Sequence, residues 1–369
     1  MQVKCAIAYR FEFHPYQRRF KSPLQTSHGI WDVRDGIILR LSDETGLASY
    51  GEIAPISWFG SESLEQALDF CRQLPTKITN EMIFSIPSDL PACQFGFESA
   101  LEAILRGQGS GIRGQGLEEQ GKQGEKFPAS PRHRVSVSSS SHLAPLFEKP
   151  LARLRPSPLT YSVLLPAGEA ALQAWQSLWD RGYRTFKWKI GVYPIADELE
   201  IFKLLTQALP VSAKLRLDAN GGLTDEAANL WLWSCDKELS SKIEFIEQPL
   251  PVEKFTQMLE LSSCYATLIA LDESVATLAQ LETCYQQGWR EIFVIKAAIA
   301  GSPRRLRQFC QAHKIDAVFS SVFETAVGRL AALNLAAELS QNHRAVGFGV
   351  NHWFDDDAQT WLEQLWKDQ

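Results

Sequence analysis

Beyond residue 158 the chain settles into a regular rhythm, in which short apolar runs alternate with longer stretches whose apolar side chains return every three or four positions. Short runs rich in β-branched and aromatic residues fit strands, and the longer spacing fits helices with one buried face. The strands this predicts are LTYSVLL (159–165), TFKWKIG (185–191), KLRLDAN (214–220), IEFIEQP (243–249), LIALDES (268–274), EIFVIKA (291–297), DAVFSSVF (316–323) and RAVGFGV (344–350). Among the helices between them are 170–182, 198–209 and 325–339. Eight runs at the pitch of a repeated βα unit, with nothing marking the switch point of an open nucleotide-binding sheet, predict an α/β fold of the (β/α)7β-barrel type over residues 158–350.

The front of the chain follows a different pattern. IILRLSDETGLASYGEIAP (37–55) reads as two strands around a glycine turn, and helical spacing recurs at 63–74 and 95–107. Residues 1–106 therefore form an N-terminal α+β capping domain with a lead-in helix. From Gly107 to Gly124 there are seven glycines in eighteen residues, followed by a serine run and several prolines. With few apolar side chains to offset the entropy of ordering, 107–157 is expected to be a flexible insertion. The last stretch, 351–369, carries HWFDDD and a helical WLEQLW and is expected to pack back on the cap.

Composition narrows the function. Lys plus Arg number 37 against 43 Asp plus Glu, a net charge of −6 with no basic tail, which excludes nucleic acid as the main partner. No run of about 18 apolar residues exists to span a membrane, and the start lacks a secretory signal, so the expected location is cytoplasmic. The seven cysteines are scattered without a CxxC or zinc spacing and read as reduced thiols. GSGIRG (109–114) and GLEEQGKQ (116–123) imitate nucleotide-binding loops but follow no strand, and the second has Gln123 where a magnesium-binding hydroxyl is required. His352, after the last strand, is read as solvated or capping.

The chemistry stands out as charge inside strands. Lys187 and Lys189 are two apart and share one strand face. Asp218, Glu247, Asp272 and Lys296 then follow Lys189 at spacings of 29, 29, 25 and 24 residues, each matching one βα unit. That rhythm places each residue on the next strand at a similar height, gathering three carboxylates between two lysine groups. In barrels of this kind the C-terminal strand ends carry the active site. Three carboxylates there repel one another and demand a cation, and an all-oxygen set suits Mg²⁺ or Mn²⁺. A lysine crowded by a second ammonium and a metal holds its proton less tightly and can serve as a base near neutral pH.

With these residues in view, the chain resembles the enolase superfamily, in the branch that places a lysine on both sides of the substrate. DANGG (218–222), FSSVFETAVG (319–328) and GFG (347–349) on the barrel carry the resemblance, as do FKSPLQTSHG (20–29) and YGEIAP (50–55) in the cap. The resemblance implies Asp218, Glu247 and Asp272 as Mg²⁺ ligands, with Asn220 and Glu273 supporting them. It implies Lys189 as the acid/base residue, Lys296 facing it across the substrate, and Lys187 lowering the basicity of Lys189. Ser320, Ser321 and Gly349 are implied as contacts to a succinyl arm. The implied activity is a hydro-lyase reaction on a small carboxylate: loss of water from 2-succinyl-6-hydroxy-2,4-cyclohexadiene-1-carboxylate in menaquinone or phylloquinone biosynthesis. A dipeptide epimerase or N-acylamino-acid racemase on the same scaffold is the first alternative. Such epimerases place a DxD motif on the eighth strand, where this chain has GFGVN. A non-catalytic barrel scaffold is the second, and it leaves the ordered ligands and both lysines without a purpose.

Overall fold

The computed structural model describes residues 7–26, 29–112, 159–238 and 242–350, together with Phe354, Leu365 and Trp366. Most of the expected insertion, His352 and most of the C-terminal segment lie outside the described residues.

A four-stranded antiparallel sheet builds the cap, from β1 (Ala8–Thr26), β2 (Gly29–Ser42), β3 (Ala48–Ile53) and β4 (Lys77–Thr79), in the order β3-β2-β1-β4. The long β1, with Pro15 and Pro23 in its run, carries no clean strand pattern in the sequence. It forms because β2 pairs with it along almost its whole length, through a register shift between Arg19 and Leu24. Beyond Arg10 its other edge has no β4 partner, so a proline there removes no ladder bond. Helices α1 (Leu64–Gln73), α2 (Asn80–Phe84) and α3 (Pro91–Ile112) complete this part of the chain. Ser63 and Gln66 close a reciprocal capping box at the start of α1. Although the glycines begin at Gly107, α3 runs past the expected boundary at 106, because each further residue of a formed helix needs only one more hydrogen bond.

The second part is a parallel sheet of seven strands: β5 (Ser162–Leu165), β6 (Thr185–Lys189), β7 (Lys214–Asp218), β8 (Ile243–Glu247), β9 (Ile269–Leu271), β10 (Ile292–Ile295) and β11 (Asp316–Phe319), each paired with its sequence neighbour. Helices α4 (Ala171–Asp180), α5 (Ile195–Ala208), α6 (Asp225–Lys237), α7 (Phe255–Cys264), α8 (Leu278–Gln286), α9 (Ala297–Ala300), α10 (Pro303–His313) and α11 (Ala326–Leu339) connect or follow the strands. The eighth strand expected at 344–350 is reduced to two isolated bridges, Tyr161 with Val346 and Ser320 with Gly347. The segment still closes the barrel: Ser162 N donates to Val346 O at 2.9 Å, and Gly347 N to Phe319 O at 2.8 Å. It is short because it threads a narrow gap. A Cβ at Gly347 would lie 2.6 Å from Ser320 Oγ, and one at Gly349 only 2.3 Å from Ser162 O. At the opposite end of the barrel, Arg344 binds both oxygens of Asp316 and reaches Glu244, which also pairs with Arg216.

Cap and barrel share one apolar core, and side chains of the cap finish barrel helices. Buried Glu52 accepts hydrogen bonds from Thr325 N and Gly328 N at 2.8 Å each, and from Thr325 Oγ1, at the start of α11. Tyr16 donates to the same carboxylate at 2.5 Å. On α3, Gln94 and Glu98 accept from Ser302 N and Arg304 N at the start of α10. Trp366 lies edge-on to His14 and Tyr50, and Phe354 stacks on Phe20. No helix among the described residues is long and apolar enough to cross a membrane. Replacing Glu52 by Ala leaves donors at the α11 terminus without acceptors, so its unfolding free energy is expected to fall by about 2 kcal/mol, measured by urea denaturation. Tyr16→Phe, which removes one donor alone, is expected to cost about 1 kcal/mol.

Candidate active site

The strands end earlier than their apolar runs, and this places the charged residues at the barrel mouth. Lys189, Asp218 and Glu247 are the last residues of β6, β7 and β8. They pair in register, Lys189 opposite Asp218 and Asp218 opposite Glu247. The expectation of one common height holds for these three only. Glu247 is level with Ala270, so Asp272 stands two residues farther along, just past β9, and Lys296 lies just past β10. Staggering of this kind follows from the tilt that closing a barrel imposes on its strands.

All three carboxylates are buried, Asp218 at 8 % exposure and Glu247 and Asp272 at 2 %. Lys187 Nζ sits between two of them, 2.7 Å from Asp218 Oδ2 and 2.8 Å from Glu247 Oε1, while Lys296 pairs with Asp272. As the side chains stand, each acid is drawn to a lysine, and no three His, Cys, Asp or Glu groups among the described residues form a ready metal cage. Lys187 is thus engaged by the acids rather than set against Lys189. Burial disfavours its charge, but Asp218, Glu247 and Asp272 outweigh burial and raise its pKa. Burial pushes Glu247 up to about 8 against the pull of Lys187, with Asp218 and Asp272 adding to the rise. Asp272 is raised by burial despite Lys296, and Glu273 likewise.

Asn220 and Glu273 brace the cluster. Asn220 N donates to Asp218 Oδ1 at 3.0 Å, and its side-chain amide donates to Glu273 Oε1 at 3.2 Å. The other Glu273 oxygen is buried without a partner among the described residues. The donor set fits a divalent cation: Lys187 and Lys296 touch three of the carboxylates, the fourth, Glu273, keeps one oxygen unsatisfied, and all the candidate donor atoms are hard oxygens. Lys189 makes no ion pair with a described residue and leaves its amine available.

The other residues behave differently. Ser321 Oγ donates to Glu324 Oε2 at 2.9 Å and accepts from Phe323 N, so its hydroxyl is engaged within its own loop. Ser320 packs on Gly347, and Gly349 is pressed against the β5 backbone. Three contributors carry little sequence signal. Phe59, from the cap, offers its ring 3.9 Å from Lys296 Nζ. Arg34 donates to Val322 O and Pro55 O, tying the cap to the loop after β11. Gln248, next to Glu247, is completely buried. A polar residue following an acid at a strand end was the only available hint for Gln248; the contacts of Phe59 with Lys296 and of Arg34 with Val322 each span more than 200 positions.

Comparison with known proteins supplies the relationship. The family model described as "Enolase C-terminal domain-like" matches residues 170–364, and "MenC, N-terminal domain" matches residues 10–104. An o-succinylbenzoate synthase from Thermosynechococcus vestitus is 38 % identical over 365 residues, 97 % of this chain and 98 % of the relative. This chain belongs to the o-succinylbenzoate synthase family of the enolase superfamily.

A crystal structure of the o-succinylbenzoate synthase from Thermosynechococcus elongatus BP-1, complexed with Mg in its active site, superposes with a TM-score of 0.79 at 36 % identity, covering 98 % of this chain and 100 % of that one. The L-Ala-D/L-Glu epimerase of Bacillus subtilis gives a TM-score of 0.70 at 20 % identity over 95 % of this chain and 92 % of that one. The epimerase has the same fold. If the carboxylates hold a cation, Mg²⁺ added to chelator-stripped protein stabilises it by about 2.7 kcal/mol at a hundred times the dissociation constant, seen as a higher melting temperature. Differential scanning fluorimetry of Glu247→Gln is expected to show that shift lost.

Proposed function

We propose that this protein eliminates water from 2-succinyl-6-hydroxy-2,4-cyclohexadiene-1-carboxylate to give o-succinylbenzoate, in menaquinone or phylloquinone biosynthesis. The observation that carries the reading is the arrangement across five consecutive strands. Lys189 on β6 and Lys296 beyond β10 flank the acids of β7, β8 and β9. Full-length similarity to o-succinylbenzoate synthases supports the choice of substrate. Six described cysteines are free thiols, five of them buried, which supports a reducing cytosolic setting.

Asp218, Glu247 and Asp272 would hold Mg²⁺, with Mn²⁺ as a substitute, and Asn220 and Glu273 would steady them. When bound, the metal supplies Lewis-acid stabilisation of negative charge on the substrate carboxylate. Lys189 takes the proton from the ring carbon that bears this carboxylate. The electron pair released forms the third ring double bond as the carbon–oxygen bond to the adjacent hydroxyl breaks. Lys189 returns its proton to the departing hydroxyl, which leaves as water, so the lysine is regenerated and the ring becomes aromatic. Lys296, held by Asp272 and resting on Phe59, stands as a fixed positive charge on the opposite side. Ser320, Ser321 and Gly349 are placed in this reading near the succinyl arm.

Product formation is followed by ultraviolet absorbance with the cyclohexadiene substrate and Mg²⁺. Lys189→Ala is expected to lower kcat by roughly 10²–10⁴-fold, the worth of a positioned acid/base group, with an unchanged circular dichroism spectrum. Wild-type protein that leaves this substrate untouched but exchanges the α-protons of dipeptides in D₂O would overturn the proposal.

A further inference from the structure

Gln248 is an amide with no exposed surface, at the junction of three loops that carry acids of the cluster. Its Oε1 accepts from Asp272 N at 3.0 Å and Ser274 N at 3.2 Å. Its Nε2 donates to Ser274 Oγ at 2.7 Å and Leu250 O at 3.0 Å. The backbone of the same residue donates to Ala270 O and accepts from Gly221 N, both at 2.7 Å. Gln248 therefore bonds to its own loop after β8, to the turn after β9 and to the turn after β7.

The residue also has a left-handed backbone, with φ of 38°, directly before Pro249, where extended backbone is preferred. Asn220, at the end of β7, is left-handed too, with φ of 45°. Such conformations are strained in non-glycine residues and persist where surrounding bonds over-determine them. Here the fully satisfied amide provides those bonds. Asp272 has no side-chain capping bond to its own turn. The amide of Gln248 thus ties the Asp272 main chain directly to the residue beside Glu247.

We propose that Gln248 is a positioning residue for the cation site, setting the backbone of Asp272 so that its carboxylate faces the same point as Asp218 and Glu247. This deepens the functional reading above and rests on its assignment of Asp272 as a metal ligand. A comparable residue outside the ligand set typically changes metal affinity 10- to 100-fold when removed.

The test uses the full chain, stripped of metal. Calorimetric titration with MgCl₂ is run on wild type, Gln248→Met, Ser274→Ala and Asp272→Asn, alongside melting temperatures. Hydrogen exchange of the metal-free proteins is followed over residues 269–276. Gln248→Met is expected to weaken Mg²⁺ binding at least about tenfold and to speed amide exchange in that segment. Ser274→Ala, which removes one of the five side-chain bonds, is expected to do both to a smaller degree. A Gln248→Met protein with wild-type Mg²⁺ affinity and only a lowered melting temperature overturns the proposal. If that variant does not fold, wild-type affinity and exchange in Ser274→Ala overturn it instead. Asp272→Asn separates the two failures. Wild-type affinity in that variant sinks the ligand assignment and the proposal with it, whereas loss of binding there with full affinity in Gln248→Met sinks the proposal alone.

Discussion

Uncompensated negative charge at the mouth of a barrel is the constraint around which this molecule is organised. Taking a carboxylate out of water is costly unless a counter-charge or donor meets it, and here Asp218, Glu247, Asp272 and Glu273 are brought together in partial or full burial. Lys187 and Lys296 answer part of that charge. Burial still raises the pKa of Glu247, Asp272 and Glu273, and four carboxylates outnumber those two ammonium groups. The same shortage that makes the site expensive to fold suits it to a hard cation.

Chemistry requires these charges to be held still, and rigidity comes from two directions. From below, the parallel strands fix Lys189, Asp218 and Glu247 in register. From above, the cap contributes acceptors to barrel helices, with Glu52 at the start of α11 and Gln94 and Glu98 at the start of α10. The cap is therefore continuous with the barrel energetically, since its carboxylates and amides satisfy backbone donors that a barrel alone would leave open. Phe59 and Arg34 extend this coupling to the mouth itself, one touching Lys296 and the other the loop after β11.

Much of the fold was legible along the chain because apolar burial acts locally and periodically. TFKWK, KLRLD, IEFIE and EIFVI read as strands, and each is a strand at nearly the expected place. The acids and lysines were legible for a related reason: a charge at the end of an apolar run contradicts its surroundings, and five such contradictions at βα spacing describe one end of a barrel. β1 was not legible, since its partner β2 makes it a strand despite two prolines. The eighth strand was overread, because RAVGFGV has the composition of a strand but only room for two bridges between β11 and β5.

By itself, then, the sequence determined the repeated βα units, the separate front domain, and which side chains meet at the strand ends, because strand period and unit length are properties of the local chain. Only the tertiary structure decided that Lys187 lies between Asp218 and Glu247, that Asp272 stands a step beyond them, and that Gln248, Phe59 and Glu52 brace the mouth. Those outcomes depend on barrel tilt, on burial and on partners tens to hundreds of residues apart. No window along the chain contains both halves of such a contact.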